Sequence, residues 1–206
     1  MTAREDAVII NSLVRQALTS MQEVMGEHGL NAVLKSCGLD RFAGNFPPND
    51  LEPSIHASQY AQLNQAIEDF YGRGGRGMLR RIGKASFQYG VREQAALLGV
   101  AGVALKVMPQ KERIKFILNG MANALKKSNP EVDAYLDDSD GKLAYVESTC
   151  AICNGRQSDI SICYLYIGSV SEAVQWATGR EYEVTETHCI AKGDAYCRFE
   201  IGDPKE

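Results

Sequence analysis

The sequence predicts an α+β fold. A helical N-terminal part packs on a small, mainly antiparallel sheet, and a ββαββ unit closes the chain. Apolar residues follow a helical period through residues 1–128. From Asn129-Pro130 onward, short alternating segments bounded by turn residues take over. The length of 206 residues, 45% of them hydrophobic, suits one domain with a substantial core. The reading is therefore a single domain over 1–206, with a helical part at 1–128 and a mixed part at 129–203.

The elements follow in order. Ala7 to Met25 places Val8, Ile9, Leu13, Ala17, Met21 and Val24 on one helical stripe. Leu30 to Cys37 is a second, short helix ended by Gly38. Asn45 to Pro53 is a loop by its prolines. Residues 57–71 form an amphipathic helix through Tyr60, Leu63, Ile67 and Phe70. Met78 to Val107 reads as one long helix, and Pro109 opens another that runs to Lys127. Glu131 to Asp137 and Lys142 to Ser148 alternate around Asp138-Ser-Asp-Gly141, which predicts a hairpin. Cys163 to Thr178 is a helix capped by Gly179. Arg180 to Thr187 and Ala195 to Ile201 are two more strands.

Several function classes are excluded. A net charge of −4 argues against a general nucleic-acid binder, which needs excess Lys and Arg to neutralise phosphates. The most apolar stretch, Ala95 to Leu105, is about half of the ~20 residues a membrane span requires. Glu5 and Asp6 interrupt the N-terminus, so no signal peptide is expected and a cytoplasmic location is. In a reducing compartment the six cysteines are not a disulfide framework. Gly72 to Gly77, GRGGRG, follows a helical pattern rather than a strand. It reads as an interhelical loop with a basic edge, not a phosphate cradle. The residual role is a carboxylate or anion contact by Arg73 or Arg76.

The cysteines of the last third are the informative feature. They run Cys150-x2-Cys153-x9-Cys163, then Glu186-x2-Cys189-x7-Cys197. Thiolates are soft zinc ligands, and a carboxylate can complete a tetrahedron. Glu186 ends a strand, Cys189 lies at the following turn, Cys197 sits on the returning strand, and Cys163 starts the packed helix. One metal there pins the hairpin to the helix. Spacing alone leaves a second reading open, that of four scattered core thiols.

From Tyr145 to Ile201 the chain resembles the 4-vinyl-reductase-type small-molecule-binding domain, also called hydrocarbon-binding. The residues that carry this are Cys150-x2-Cys153-Asn-Gly-Arg156, then Cys163 with Gly168, then Gly179-Arg-Glu, then Glu186-x2-Cys189-x3-Gly193-x3-Cys197-Arg-Phe199. Met25 to Leu39 and Tyr71 to Phe87 resemble the family's helical parts more loosely. The family includes a bacteriochlorophyll-biosynthesis protein first assigned as a vinyl reductase, the sensor domain of phenol- and xylene-responsive activators, and distant vesicle-tethering subunits. In the aromatic-sensing branch three Cys and one Glu hold zinc. That pattern falls on Cys163, Glu186, Cys189 and Cys197, and leaves Cys150 and Cys153 either as a second metal or redox pair or as the close-packed turn before the helix. No ATPase or helix-turn-helix output follows before Glu206, so the expectation is a separate signalling or enzyme partner.

The resemblance implies non-catalytic binding of a hydrophobic or aromatic small molecule, as sensor, carrier or assembly factor. The alternative is a reductase, or reductase subunit, acting on a tetrapyrrole vinyl group. No nicotinamide fingerprint accompanies that alternative. A zinc with four protein ligands is coordinatively closed and structural. The ligand is expected beside it. Val184 shares a strand face with Glu186, and Ile167 lies one turn after Cys163. Tyr145, Phe87 and Phe116 complete the expected wall, with plain core packing as the other reading of each. The N-terminal stripe of Val8, Ile9, Leu13 and Met21 predicts a homodimer, and family members also pair through their helical parts.

Overall fold

The computed structural model describes residues 6–93, 108–129 and 131–205. The expected Ala95 to Leu105 stretch, and the end of the long helix that contains it, lie outside them. The chain opens with a short strand, β1 (Val8–Ile10), and then helix α1 (Asn11–Ser36). Gly26, at φ 77° and ψ 164°, breaks α1 into the two helices the sequence predicts. Strand β2 (Pro53–His56) pairs antiparallel with β1, Ile9 opposite Ile55. The sequence pattern predicts neither strand. Val8 and Ile9 fit the helical stripe equally well, and three residues are too few to show alternation.

Helix α2 (Ala57–Tyr71) matches its expected bounds. Gln59 accepts from the His56 backbone N–H at 3.1 Å and so closes its N-terminus. A turn of 3-10 helix at Gly72–Gly74 leads into α3 (Gly75–Glu93). The Gly-rich segment is thus only half loop, because Gly75, Arg76 and Gly77 belong to the helix. Arg76 and Arg80 lie 5.5 and 5.8 Å from the ring centre of Tyr164, which gives the basic edge an aromatic partner. Helix α4 (Gln110–Ser128) follows.

The last third is ββαββ in element order. Strands β3 (Ala134–Asp137) and β4 (Ala144–Glu147) form the hairpin. Helix α5 (Tyr164–Thr178) ends on Gly179 at φ 75°. Strands β5 (Tyr182–His188) and β6 (Cys197–Pro204) return. The sheet order is β3-β4-β6-β5, antiparallel throughout. Alternation aims Tyr145, Glu147, Val184, Glu186, Cys197 and Phe199 at one face, and the register sets Tyr145 opposite Phe199 and Glu147 opposite Cys197. Arg198, next in line, points to the other face. It pairs there with Asp137 at 2.6 Å, Asp140 at 2.8 Å and Glu200 at 3.4 Å, and so ties the hairpin turn to β6.

Helices α3 and α4 pack on α5, and α1 and α2 pack on α3. Met21 is fully buried and Leu13 lines a cavity. Val8, on β1, stays exposed. Among the described residues no helix is long and apolar enough to cross a membrane.

Helices α3 and α5 approach each other backbone to backbone. A Cβ on Gly83 would sit 2.0 Å from the Leu165 carbonyl oxygen, and one on Gly168 would sit 2.1 Å from that of Arg80. Ser169 Oγ donates to the Gly83 carbonyl at 3.0 Å across the same crossing. Gly83→Ala or Gly168→Ala must push the two backbones apart. Each is expected to cost about 1–3 kcal/mol or more, as overpacking does. Urea denaturation that shows either variant as stable as the parent would refute this account of the crossing.

Candidate metal centre and ligand cavity

Five of the six cysteines meet at one end of α5. Cys150 and Cys153 bracket a 3-10 turn directly after β4, in which the Cys153 N–H donates to the Cys150 carbonyl. Cys163 is the N-cap residue of α5. Cys189 follows β5, and Cys197 begins β6. The loop between them is held by Asp194, whose Oδ2 accepts from the Cys189 N–H at 2.7 Å, and by Gly193 at φ 98°. The Ile190 N–H donates to Cys197 Sγ at 3.4 Å. All five thiols are free and buried. Cys37 stands apart, half-buried, near the Leu34 carbonyl.

The sulfurs crowd one another. Cys163 Sγ lies 3.5 Å from Cys150, 3.2 Å from Cys153 and 3.8 Å from Cys197. Glu186 joins from β5. Its Oε2 accepts from the Cys163 N–H at 2.9 Å, while buried Oε1 has no partner among the described residues. Two sets of four donors have all atoms within 4.8 Å of one another. They are Cys150, Cys153, Cys163 and Cys197, and Cys163, Glu186, Cys189 and Cys197. A zinc–sulfur bond of about 2.3 Å implies tetrahedral edges near 3.8 Å, which these spacings approach. The orphaned Glu186 oxygen and the thiol crowding both fit a bound cation of the zinc class. The structure thus brings together all four residues expected as ligands and adds Cys150 and Cys153, which spacing alone left without a place.

Electrostatics agree. Burial pushes the Glu186 carboxyl up to about 8, and the neighbouring Cys189 adds to the shift. Burial likewise pushes the Cys150 thiol up to about 12. Cys153 moves down, because its sulfur collects hydrogen bonds from Cys150, Cys163, Cys189 and Cys197. Glu186 and Cys150 resist shedding protons until a cation compensates them, so metal loading releases protons.

The cluster forms one end of a half-open cavity of about 1200 Å³. Ile9, Leu13, Phe87, Met121, Leu125 and Leu165 give it an apolar wall, and Cys150 and Cys153 close the cluster end. Polar side chains line it as well, among them Gln16, Tyr60, Asn129, Glu131, Glu147 and Asp194. Glu147 is 1% exposed. The Tyr166 hydroxyl hydrogen-bonds to it, whereas its Oε2 has no partner among the described residues. Burial raises this carboxyl to about 8, against the Tyr166 bond and with help from Cys153.

Of the five expected ligand residues, Phe87 lines this cavity, and Phe116, Tyr145, Ile167 and Val184 do not. The gap between α5 and the sheet is filled core: Tyr145 and Phe199 centre 6.4 Å apart, and Tyr166 closes on Phe199 at 5.6 Å. The cavity lies on another face of α5, reached by Leu165, Tyr166 and Ser169. Residues 163 and 167 point away from that face by the helical period. Phe116 is half-buried on α4, off the side that carries Met121 and Leu125. Glu147 is the residue that sequence reasoning missed, although alternation from Tyr145 already aims it inward.

Residues 146–203 match the family model described as the V4R domain. That span coincides closely with the stretch whose motifs resemble the 4-vinyl-reductase-type family. All six cluster donors and Glu147 fall within it. The whole fold is similar to H-NOX proteins. One is from S. oneidensis in the Fe(II)NO ligation state, at 11% identity and TM-score 0.60, covering 93% of this chain and 99% of that one. Another is a mutant H-NOX protein from K. algicida, Fe(II) and unliganded, at 14% identity and TM-score 0.60, covering 96% and 97%. A third is an oxygen-binding H-NOX domain related to soluble guanylate cyclases, at 13% identity and TM-score 0.59, covering 95% and 96%. At such identities the likeness is one of fold. No curated protein matches the chain.

Two outcomes are expected. Cys189→Ser should lower the thermal midpoint well below that of Cys37→Ser, followed by circular dichroism. If the two variants melt together, the cluster is not holding the hairpin. The second concerns Glu147. Its folded value near 8 lies above its ordinary 4.5, so the folded state binds more protons between those values. The stability it contributes is full below pH 4.5 and is lost as pH rises through 8. Glu147→Gln should flatten the fall in urea-unfolding free energy from about pH 5 to 8, by at most about 1.4 kcal/mol per pH unit.

Proposed function

We propose that this protein binds a hydrophobic small molecule without transforming it, as a sensor, carrier or assembly factor. The observation that carries the reading is the half-open cavity of about 1200 Å³, large and mainly apolar, with one buried carboxyl oxygen left unpartnered at its wall. Small-molecule sites are concave and mostly apolar, with polar groups that fix orientation. Glu147 favours a ligand with an apolar body and one polar group able to hydrogen-bond its carboxyl, and Tyr60 and Gln16 also line the cavity.

A structural zinc ion on Cys163, Glu186, Cys189 and Cys197 belongs to the same proposal. Four protein ligands leave it no open position for water or substrate. Its work is to fasten the start of α5 to the β5–β6 turn and so hold the cluster end of the cavity in shape. The V4R match and the fold it shares with H-NOX proteins support a small-molecule-binding role. The H-NOX structures named above include nitric-oxide and oxygen complexes. None of the three histidines lines this cavity.

A thermal-shift screen of phenols, fatty acids and haemin on the intact chain tests the reading. A binder at a hundredfold excess over Kd stabilises the fold by about 2.7 kcal/mol. Ala17→Trp, which projects into the cavity from α1, should abolish the shift while the metal content stays unchanged. A Soret band on titration with haemin would place a tetrapyrrole among the ligands. Steady reduction of a tetrapyrrole vinyl group by the purified chain, with a reductant supplied, would overturn the non-catalytic reading.

A further inference from the structure

We propose that the thiol cluster is binuclear: it holds two divalent ions of the zinc class, bridged by the thiolates of Cys163 and Cys197. The proposal rests on the metal reading above and goes past it, because Cys150 and Cys153 become ligands rather than bystanders. One ion takes Cys150 and Cys153 as its own ligands, and the other takes Glu186 and Cys189. Both share Cys163 and Cys197.

The overlap of the two donor sets is the first reason. Each has four atoms within 4.8 Å of one another, and they share two thiols while keeping two private donors apiece. That is the connectivity of two tetrahedra joined along one edge. The shared edge, Cys163 Sγ to Cys197 Sγ, measures 3.8 Å, close to the ~3.8 Å edge of a zinc–thiolate tetrahedron. Cys150 and Cys153 are spaced as C-x2-C on one turn, a common chelating pair for such an ion.

Crowding is the second reason. A single ion on the Glu186 set leaves Cys150 and Cys153 as neutral thiols, pressed to 3.5 and 3.2 Å from a metal-bound sulfur. A second ion converts that crowding into bonds. An iron–sulfur cubane fits less well, because it spreads its terminal thiolates over four irons, whereas here each set of four is gathered tightly enough for one ion.

Loading both ions also requires a movement. Cys153 Sγ lies 3.6 Å from Cys189 Sγ, although these are private ligands of different ions. The Cys150–Cys153 turn must therefore shift outward, toward the cavity it already borders.

The test uses the intact chain, reduced and saturated with zinc. Native mass spectrometry with elemental analysis should count two zinc ions per chain, and Cys150→Ser combined with Cys153→Ser should retain one. Cobalt(II) gives a readout independent of any variant. The first equivalent should produce a high-spin electron paramagnetic resonance signal, and the second should diminish it through exchange across the bridging thiolates. One ion per saturated parent chain would overturn the proposal and leave the single structural zinc standing. Two ions with additive signals would overturn the bridge, and acid-labile sulfide would show an iron–sulfur cluster instead. No metal at all would remove both metal readings, while ligand-induced thermal shifts would still decide the cavity.

Discussion

Helices α3 and α5 touch backbone to backbone at Gly83 and Gly168, and the positions of both the cavity and the cluster follow from that contact. With no Cβ between them, the two helices approach until Leu165 and Arg80 carbonyls fill the space side chains normally take. The crossing fixes the axis and rotation of α5. Rotation decides that Leu165, Tyr166 and Ser169 look toward α1 and the cavity, while Cys163 looks toward the sheet. A wider crossing would tilt the start of α5 and separate Cys163 from Cys197, which sits on a strand that α3 does not hold. One steric constraint thus governs two chemically different sites.

The buried acids show what the fold tolerates. Glu147 and Glu186 lie on the same face of the sheet, the first on β4 and the second on β5, with β6 and its Cys197 between them. Each is buried, and each has one oxygen without a partner among the described residues. An unpartnered buried carboxyl oxygen costs free energy, and a stability-driven sequence would replace it with an apolar residue. Two such residues at the two sites where a ligand and a cation are proposed make better sense as binding groups than as core. Arg198 is the contrasting case. It is equally buried, yet Asp137, Asp140 and Glu200 surround it, and it serves to hold the hairpin.

The meeting of four candidate donors is legible in the sequence and the cavity is largely illegible, for a physical reason. Cys163, Glu186, Cys189 and Cys197 lie on elements adjacent in the chain, whose boundaries Gly179, Gly193 and strand alternation mark plainly. Their meeting needs only local turns and one antiparallel register. The cavity draws on α1, α2, α3, α4 and α5, and which faces meet there depends on helix rotations that no local pattern encodes. Tyr145, Ile167 and Val184 do face inward, and all are buried. They face the filled gap beneath α5 rather than the open space on its other side. β1 and β2 leave no trace in the pattern because so short a pair has no period of its own. Its strength comes from pairing across some forty residues of intervening chain.

The turn bearing Cys150 and Cys153 belongs to the cluster and to the cavity wall at once. A ligand in the cavity and an ion on those thiols therefore act on one piece of backbone. If the ion draws the turn to a new position, a ligand sees a differently shaped wall, and its affinity changes by the difference in contact free energy between the two shapes. Thermodynamic linkage makes the effect mutual: whatever factor the ion applies to ligand affinity, the ligand applies to ion affinity. The turn is also tied outward. Arg156 pairs with Glu68 on α2 at 2.7 Å, and Asn154 donates to Asp6 beside β1 at 2.9 Å. Movement of the turn is thus passed to α2 and to the strand pair at the N-terminus, which form the same cavity's far side and part of its outer surface. A small displacement at the thiols has a defined route to the exterior of the molecule, through two named contacts.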